Sequence, residues 1–348
     1  MPAMIPSFMN FYSKFKKNIE LQSLLSPKDC LVVGVSGGLD SVVLLTLLKQ
    51  LSQEWSLEMI VAHVNYHLRG KDSNLDEKWV KALANSMGLA LAVKSLTKMP
   101  KSNLQEKARD IRYDFFEKIA QKHRAKKIVL AHHADDQVET FLFRWIRGAG
   151  PEGLSSMEAF RFMREDSKIK LIRPLLNFTK EDLFDFARER GLHWREDRSN
   201  QKTDYLRNYL RKKVLAPLKK IHPKVIEKML QGIESLQLEN RCLEEEVSKK
   251  ISPHLKRSKN QVRYPLISLK KQLVPVRYRM YTHLFKALNI KKRSLSRRHL
   301  EGLDQMVMQH KQKMKLSLPQ GWGAQIEGGE LHLIKWKKSH LNQRGFFY

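Results

Sequence analysis

From Ser36 to Ser41 the chain reads Ser-Gly-Gly-Leu-Asp-Ser, between the apolar runs Leu31–Val35 and Val42–Leu45. A strand, a glycine turn and the start of a helix in that order make a phosphate cradle. Gly37 and Gly38 let the chain turn tightly and bring its N–H groups against an anion, and the following helix adds its N-terminal dipole. Ser36 and Ser41 add hydroxyls. No lysine stands where a G-x-x-x-x-G-K-S/T loop requires one, so the β- and γ-phosphates are not gripped as in a kinase or GTPase. The loop carries Asp40 instead. A carboxylate repels phosphate unless a cation lies between them, which points to Mg²⁺ shared by Asp40 and a nucleotide. Ser36, Gly37, Gly38, Leu39, Asp40 and Ser41 are therefore the candidate nucleotide cradle, suited to releasing pyrophosphate while AMP passes to an acceptor.

Other polar stretches follow. "AHHADDQ" (Ala131–Gln137) opens a helical pattern in which Asp136 and Glu139, three apart, share a face, with Asp135 on an adjacent one. His132 and His133 either orient a site or satisfy buried polar groups. Asp135 and Asp136 also favour a helix N-terminus through the dipole. In "YLRNYLR", Arg207 and Arg211 lie four apart on one helix face, with Asn208 beside Arg207. Two guanidiniums so placed suit phosphate or an unstacked base, or simply a solvated face. No cysteine lies near and no acidic cluster has the required spacing, which excludes a structural zinc site.

These residues need a scaffold. "CLVVGVS", "MIVAHVN", "ALAVKSL", "KKIVLAHH" and "KLIRPLL" read as strands, and helical patterns follow each of them. The alternation predicts βαβ units and a parallel sheet covered on both faces. Ligands of such sheets sit beyond the carboxyl ends of the strands, where "SGGLDS", "HVNYHLRG" and "AHHADDQ" all fall. "TKEDLFDFARERG" begins close to a capping box, Thr179 with Asp182. Past about Pro217 the alternation stops. Long helical patterns follow, then "KMKLSLPQGWGAQIEGGELHLIKW" as short strands around turns. The predicted fold is α/β: a parallel-sheet domain over 1–217, then a basic, mainly helical domain over 218–348 that ends in a small β segment.

The 348 residues carry a net charge of +29, and 42% of them are hydrophobic. Such charge predicts a polyanionic partner, most often nucleic acid. Between Val247 and Leu300 there are sixteen Lys and Arg and no Asp or Glu, which reads as a phosphate-facing surface. Only two cysteines, Cys30 and Cys242, occur. A disulfide framework is not expected, and a reducing cytoplasm is. No apolar run has the length of a membrane span, and the N-terminus lacks the apolar core of a signal peptide.

"SGGLDS" is the signature of the PP-loop ATP pyrophosphatases, whose adenine-nucleotide-binding fold matches the predicted sheet. Within that superfamily "HVNYHLRG", "EKARDIRYDFF", "AHHADDQVETFLFRWIRGAGPEGL", "IRPLL" and "EDRSN…YLRNYLRKKVLAPL" resemble the tRNA(Ile)-lysidine synthetase family in order and spacing, over roughly Leu31 to Leu218. The match weakens beyond Pro217, and the chain reads as ending after one C-terminal domain where longer members carry another. His63 and Arg69 match the family. Tyr66 and His67 stand where it usually has a second His.

The resemblance implies ATP and Mg²⁺ as cofactors, and tRNA(Ile) with anticodon CAU and free L-lysine as substrates. The wobble cytidine is adenylated and the side-chain amine of lysine then displaces AMP. It implies Arg109 beside the reacting phosphates, with Arg112 three positions on, and His63 with the nucleotide. It implies Asp136, Glu139 and His133 at the lysine, with one carboxylate taking the amine proton, and Arg207, Asn208 and Arg211 at the tRNA. Three rivals differ in kind. A tRNA thiolase needs cysteine pairs, which Cys30 and Cys242 do not supply. An amidotransferase-like ligase would need no such charge. A structural RNA-binding protein leaves "SGGLDS" and "HHADDQVET" unexplained.

Overall fold

The computed structural model describes residues 7–68, 71–96, 103–164, 167–195, 206–258, 260–288, 295–309 and 314–336. The chain divides into two compact units, Met1–Glu234 and Ser235–Tyr348. The change of character read near Pro217 precedes that division, because Ile226, Leu230 and Ile233 pack in one cluster with Val138 and Leu142.

The first unit begins with α1 (Ser7–Leu21), which the alternating pattern did not announce. It continues through β1 (Cys30–Gly34), α2 (Leu39–Trp55), β2 (Glu58–Asn65), α3 (Lys71–Ser86), β3 (Ala90–Ser95), α4 (Leu104–Lys122), β4 (Lys127–Val129), α5 (Ala134–Ile146) and α6 (Pro151–Leu154). Then come β5 (Phe160–Phe162), β6 (Lys170–Ile172) and α7 (Lys180–Glu189). After them, α8 (Leu206–Tyr209) runs through a π-helical turn, Leu210–Leu215, into α9 (Ala216–Ile221). The six strands lie in the order β3-β2-β1-β4-β6-β5, parallel except for the edge strand β5. This is the expected parallel-sheet α/β fold.

Strand residues alternate between two cores. Leu31, Val33 and Val129 pack with Phe15 and Ile19 of α1, the apolar face of α2, and Leu183 and Phe186 of α7. Val32, Ile128 and Leu130 pack with Phe115 and Phe116 of α4. Because both faces are covered, the central strands read as continuous Val, Leu and Ile rather than as alternation. Each fully buried side chain of that kind contributes about 1.5–3 kcal/mol. The expected cap of α7 is present. Thr179 Oγ1 accepts from the Asp182 N–H at 3.1 Å, and Asp182 Oδ2 accepts from the Thr179 N–H at 2.7 Å.

Helix α10 (Val225–Ile251) carries the chain from the first unit into the second. There follow β7 (Lys256–Ser258), β8 (Gln261–Pro265), α11 (Leu266–Lys270), α12 (Val274–Lys286), α13 (Arg297–Met308), β9 (Leu316–Leu318), β10 (Trp322–Glu327) and β11 (Glu330–Lys335). The strands form an antiparallel sheet, β7-β8-β11-β10-β9. The Gly-Gly turn joins β10 to β11 with both glycines at positive φ. β7 and β8 lie inside the basic run, whose charges hid the strand pattern. Among the described residues of that run, two cations are buried. Arg277 is buried in a fork on Asp304, at 2.6 and 2.9 Å, and buried Arg279 bonds Asn240. Lys256, Arg257, Arg263, Lys271, Lys286, Arg297 and Arg298 are exposed. Among the described residues no helix is long and apolar enough to cross a membrane.

The second core is tight at Gly323, where an added Cβ would lie 1.9 Å from the indole of Trp336. Gly323→Ala should therefore lower stability by about 1–3 kcal/mol and leave nucleotide binding by the first unit unchanged. Thermal melts and ATP titration read the two effects. An unaltered melt would mean that the indole moves aside freely.

Candidate functional site

Among the helices that start at the carboxyl edge of the parallel sheet are α2 after β1, α5 after β4 and α7 after β6. Each start leaves N–H groups without partners inside its helix, and the site is assembled there.

The loop after β1 is shaped by hydroxyls. Gly37 sits at φ +91°, a region open to glycine. Ser41 Oγ accepts from the N–H groups of Ser36 and Gly37, each at 3.2 Å, and donates to the Gly38 carbonyl at 2.9 Å. Ser36 Oγ lies 3.2 Å from Ser41 Oγ. The serines thus bond within the loop, while Leu39 and Asp40 open α2 with N–H groups that have no helical acceptor. The Arg195 N–H closes the loop from outside by donating to the Gly37 carbonyl at 3.0 Å, and its guanidinium holds Asp76 at 2.8 Å. Sequence reasoning singled out neither residue. His63 is buried, with Nδ1 2.8 Å from the Val35 carbonyl, so that nitrogen carries a proton. Burial pushes its pKa down and keeps the ring neutral. It therefore steadies the exit of β1 from beneath. Tyr66, where a His was usual, donates its hydroxyl to the Ala108 carbonyl of α4. Arg69 lies outside the described residues.

At the start of α5, His133 stands among carboxylates. Its Nε2 lies 3.5 Å from Asp136 Oδ2 and 3.8 Å from Asp40 Oδ2, and its Nδ1 lies 3.6 Å from Asp135 Oδ2. Burial works against the charged ring, but Asp136, Asp135 and Asp40 outweigh it and raise the pKa. Asp136 also caps α5 by accepting from the His133 N–H at 3.1 Å. Asp135 is buried and fully engaged. It takes the Lys219 ammonium at 2.5 Å and the Lys180 N–H at 2.8 Å. Burial would raise its pKa, yet His133, Lys219 and Lys180 hold it below the usual carboxylate range. The Lys180 ammonium meets Asp40 at 2.5 Å. Lys180 and Lys219 were not found from sequence. Lys180 follows the Thr179 cap as the first residue of α7, so the cap that the sequence shows also marks its place.

Glu139 is buried and receives a fork from Arg211, Nε at 2.5 Å and Nη2 at 3.0 Å, while Nη2 lies 4.0 Å from Asp136 Oδ1. Burial raises the Glu139 pKa against the pull of Arg211. Asp136 and Glu139 thus converge on one cation. Arg207 does not join them. Its guanidinium lies over Phe143, one turn further along α5, at 5.6 Å. Asn208 lies between the two in α8. Arg109 lies over the Tyr113 ring at 5.1 Å and makes no ion pair with Asp40 or Asp136.

Among the described residues no group of three or more His, Cys, Asp and Glu is arranged to hold a metal by itself. Asp40 and Asp136 do approach one point, the Nε2 of His133. Two carboxylates that need phosphate oxygens and water to complete a shell fit nucleotide-bound Mg²⁺ rather than a protein cage.

The sequence model of the PP-loop domain matches residues 9–218. A tRNA(Ile)-lysidine synthase of Bacillus cereus is 34% identical over 275 residues, 77% of this chain and 57% of that protein. One of Bacillus subtilis is 39% identical over 219 residues, 62% of this chain and 46% of that protein. The chain thus spans about half the length of these curated relatives. A U34-tRNA thiolase from Methanococcus maripaludis shares the fold, with a TM-score of 0.54 at 17% identity over 66% of this chain and 79% of its own.

Ser41→Ala removes the hydroxyl that two loop N–H groups and one carbonyl use. Losing such buried bonds costs about 1–3 kcal/mol, so ATP affinity should fall roughly tenfold or more, as read by calorimetric titration. Affinity equal to the parent's would mean that the loop keeps its shape without it.

Proposed function

The chain belongs to the PP-loop domain family, and from that premise we propose that it uses ATP to join free L-lysine to carbon 2 of the wobble cytidine of a tRNA(Ile) with anticodon CAU. The product is lysidine, and decoding changes from AUG to AUA. The similarity to tRNA(Ile)-lysidine synthases supports the reading. One observation carries it: beside the phosphate loop, Asp136 and Glu139 close together on a single cationic head group, that of Arg211. A lysine ammonium needs the same pair.

In the first step the cytosine oxygen on carbon 2 attacks the α-phosphorus of ATP. The bond to the bridging oxygen of the β-phosphate breaks and pyrophosphate leaves. The N–H groups that open α2 and the helix dipole face the charge that builds. Asp40, with Asp136 across His133, would hold Mg²⁺, which supplies countercharge to the phosphates when bound. In the second step the side-chain nitrogen of lysine attacks carbon 2, the carbon–oxygen bond breaks and AMP departs. Asp136, a quarter exposed, is the carboxylate open to an ammonium. Glu139, its pKa raised by burial, takes the amine proton once Arg211 yields it. Arg211 lies on the π-helical turn, a form of helix that recurs at functional sites.

The target base lies in a single-stranded loop, so it swings out at low cost. Arg207, Asn208 and the exposed cations of the second unit are the proposed RNA contacts. A reducing cytoplasm, where tRNA resides, is the proposed compartment. The deciding experiment is mass analysis of tRNA nucleosides after incubation with ATP, Mg²⁺ and labelled lysine. Unmodified cytidine throughout would refute the reading.

Asp40→Asn should slow pyrophosphate release on the order of 100-fold and leave tRNA binding intact. Near-normal release would remove Asp40 from the metal role. Glu139→Gln should slow the lysine step more than the ATP step, so that adenylated tRNA accumulates in single-turnover assays. Equal slowing of both steps would mark Glu139 as structural.

A further inference from the structure

Four arginines meet at Tyr113 on the α4 side of the sheet. The guanidinium carbons of Arg109, Arg112 and Arg161 lie 5.1, 5.6 and 5.6 Å from the centre of its ring. Arg173, at the end of β6, is almost wholly buried and donates to the Glu158 carbonyl at 2.7 Å. Arg161 donates to the carbonyls of Phe162 and Met163. None of the four forms an ion pair with a carboxylate among the described residues. Arg112 and Arg173 each keep a buried Nε without an acceptor, and the neighbouring His132 keeps a buried Nδ1 without a partner.

Gathering cations in a half-buried place is unfavourable. Burial, then Arg161 and Arg109, bring the Arg173 pKa down to about 10 despite the pull of Tyr113. Burial, then Arg173, Arg112 and Arg109, hold the His132 pKa well below its ordinary value. Such an arrangement persists where an anion completes it.

The geometry points to a second anion site at Arg109, Arg112, Arg161 and Arg173, for a phosphodiester of the RNA strand that carries the target base. The assignment rests on the proposed tRNA substrate. Position separates it from the nucleotide cradle. His132 and His133 are successive residues between β4 and α5 with different neighbours. His133 meets Asp40 of the phosphate loop, whereas His132 meets the arginines. Arg161 is paired with Leu171 on the α4 face of the sheet, whereas its neighbours Phe160 and Phe162 point to the other face. Guanidiniums gathered in a half-buried place suit the backbone of a single strand.

The test uses the whole chain with Arg161→Gln and Arg161→Lys, measuring tRNA affinity against salt and ATP affinity. In Arg161→Gln, tRNA affinity should fall roughly tenfold and the salt slope should drop by about 0.7–0.9, with ATP binding unchanged. Arg161→Lys should keep the slope. Parent-like tRNA affinity and slope in Arg161→Gln overturn the inference. Loss of ATP affinity alone assigns the cluster to the triphosphate tail instead. Equal losses in both variants, with lowered melting, reduce Arg161 to its bonds with the Phe162 and Met163 carbonyls. A parent chain that binds no tRNA refutes the functional reading itself, and the inference falls with it.

Discussion

His133 stands with 5% of its surface exposed among the carboxylates of Asp40, Asp135 and Asp136, and burial alone would strip its proton. The three carboxylates raise its pKa against that burial, and it in turn ties them together. Asp40 belongs to α2, while Asp135 and Asp136 belong to α5. Asp135 also receives the first N–H of α7 and the Lys219 ammonium. His133 and Asp135 together therefore fix the relation of three helix starts, and the phosphate loop inherits its position from that relation. Asp135 is the buried carboxylate of the group, and breaking its pairs would be costlier than losing an exposed pair.

The strand end at His132 and His133 splits the surroundings by sign. Carboxylates surround His133, and the charges nearest His132 are those of Arg173, Arg112 and Arg109. The acid side suits ammonium groups and a metal shared with phosphate. The arginine side suits an anion. A substrate pair made of a cationic amino acid and an anionic RNA has that polarity. Arg211 is a cation on the acid side, held by Glu139 from a helix turn whose wider π geometry sets it apart from ordinary α-helix.

The second unit qualifies what a run of basic residues means. Its one-sided charge includes Arg277, which is spent on Asp304 inside the core, with the Tyr281 hydroxyl on the same carboxylate. Asp304 lies just past the acid-free segment, so counting within the run missed the pair. Of the exposed cations, Lys256 and Arg297 pair with Glu330 and Glu301, while Arg257, Arg263 and Lys271 also face solvent.

The sequence by itself determined the elements and the edge at which the site lies. Val-rich runs covered on both faces, helical spacing after each, the Gly-Gly turn of the phosphate loop and the Thr179–Asp182 cap are local signals, written within a few residues. It also placed Asp40, His133, Asp136 and Glu139 at one edge, because a parallel sheet brings successive strand ends together. It did not announce α1, or β7 and β8, whose patterns are short or masked by charge. Tertiary structure alone decided the partners. Arg211 and Glu139 are 72 residues apart, Lys180 and Asp40 are 140 apart, and Arg195 and Asp76 are 119 apart. No periodicity records such pairs. It also decided that Arg207 and Arg211, four apart on paper, go to different neighbours, and that four arginines from α4, β5 and β6 share one tyrosine. Charge pairing depends on distance in space and on burial, and both exist only once the chain has closed on itself.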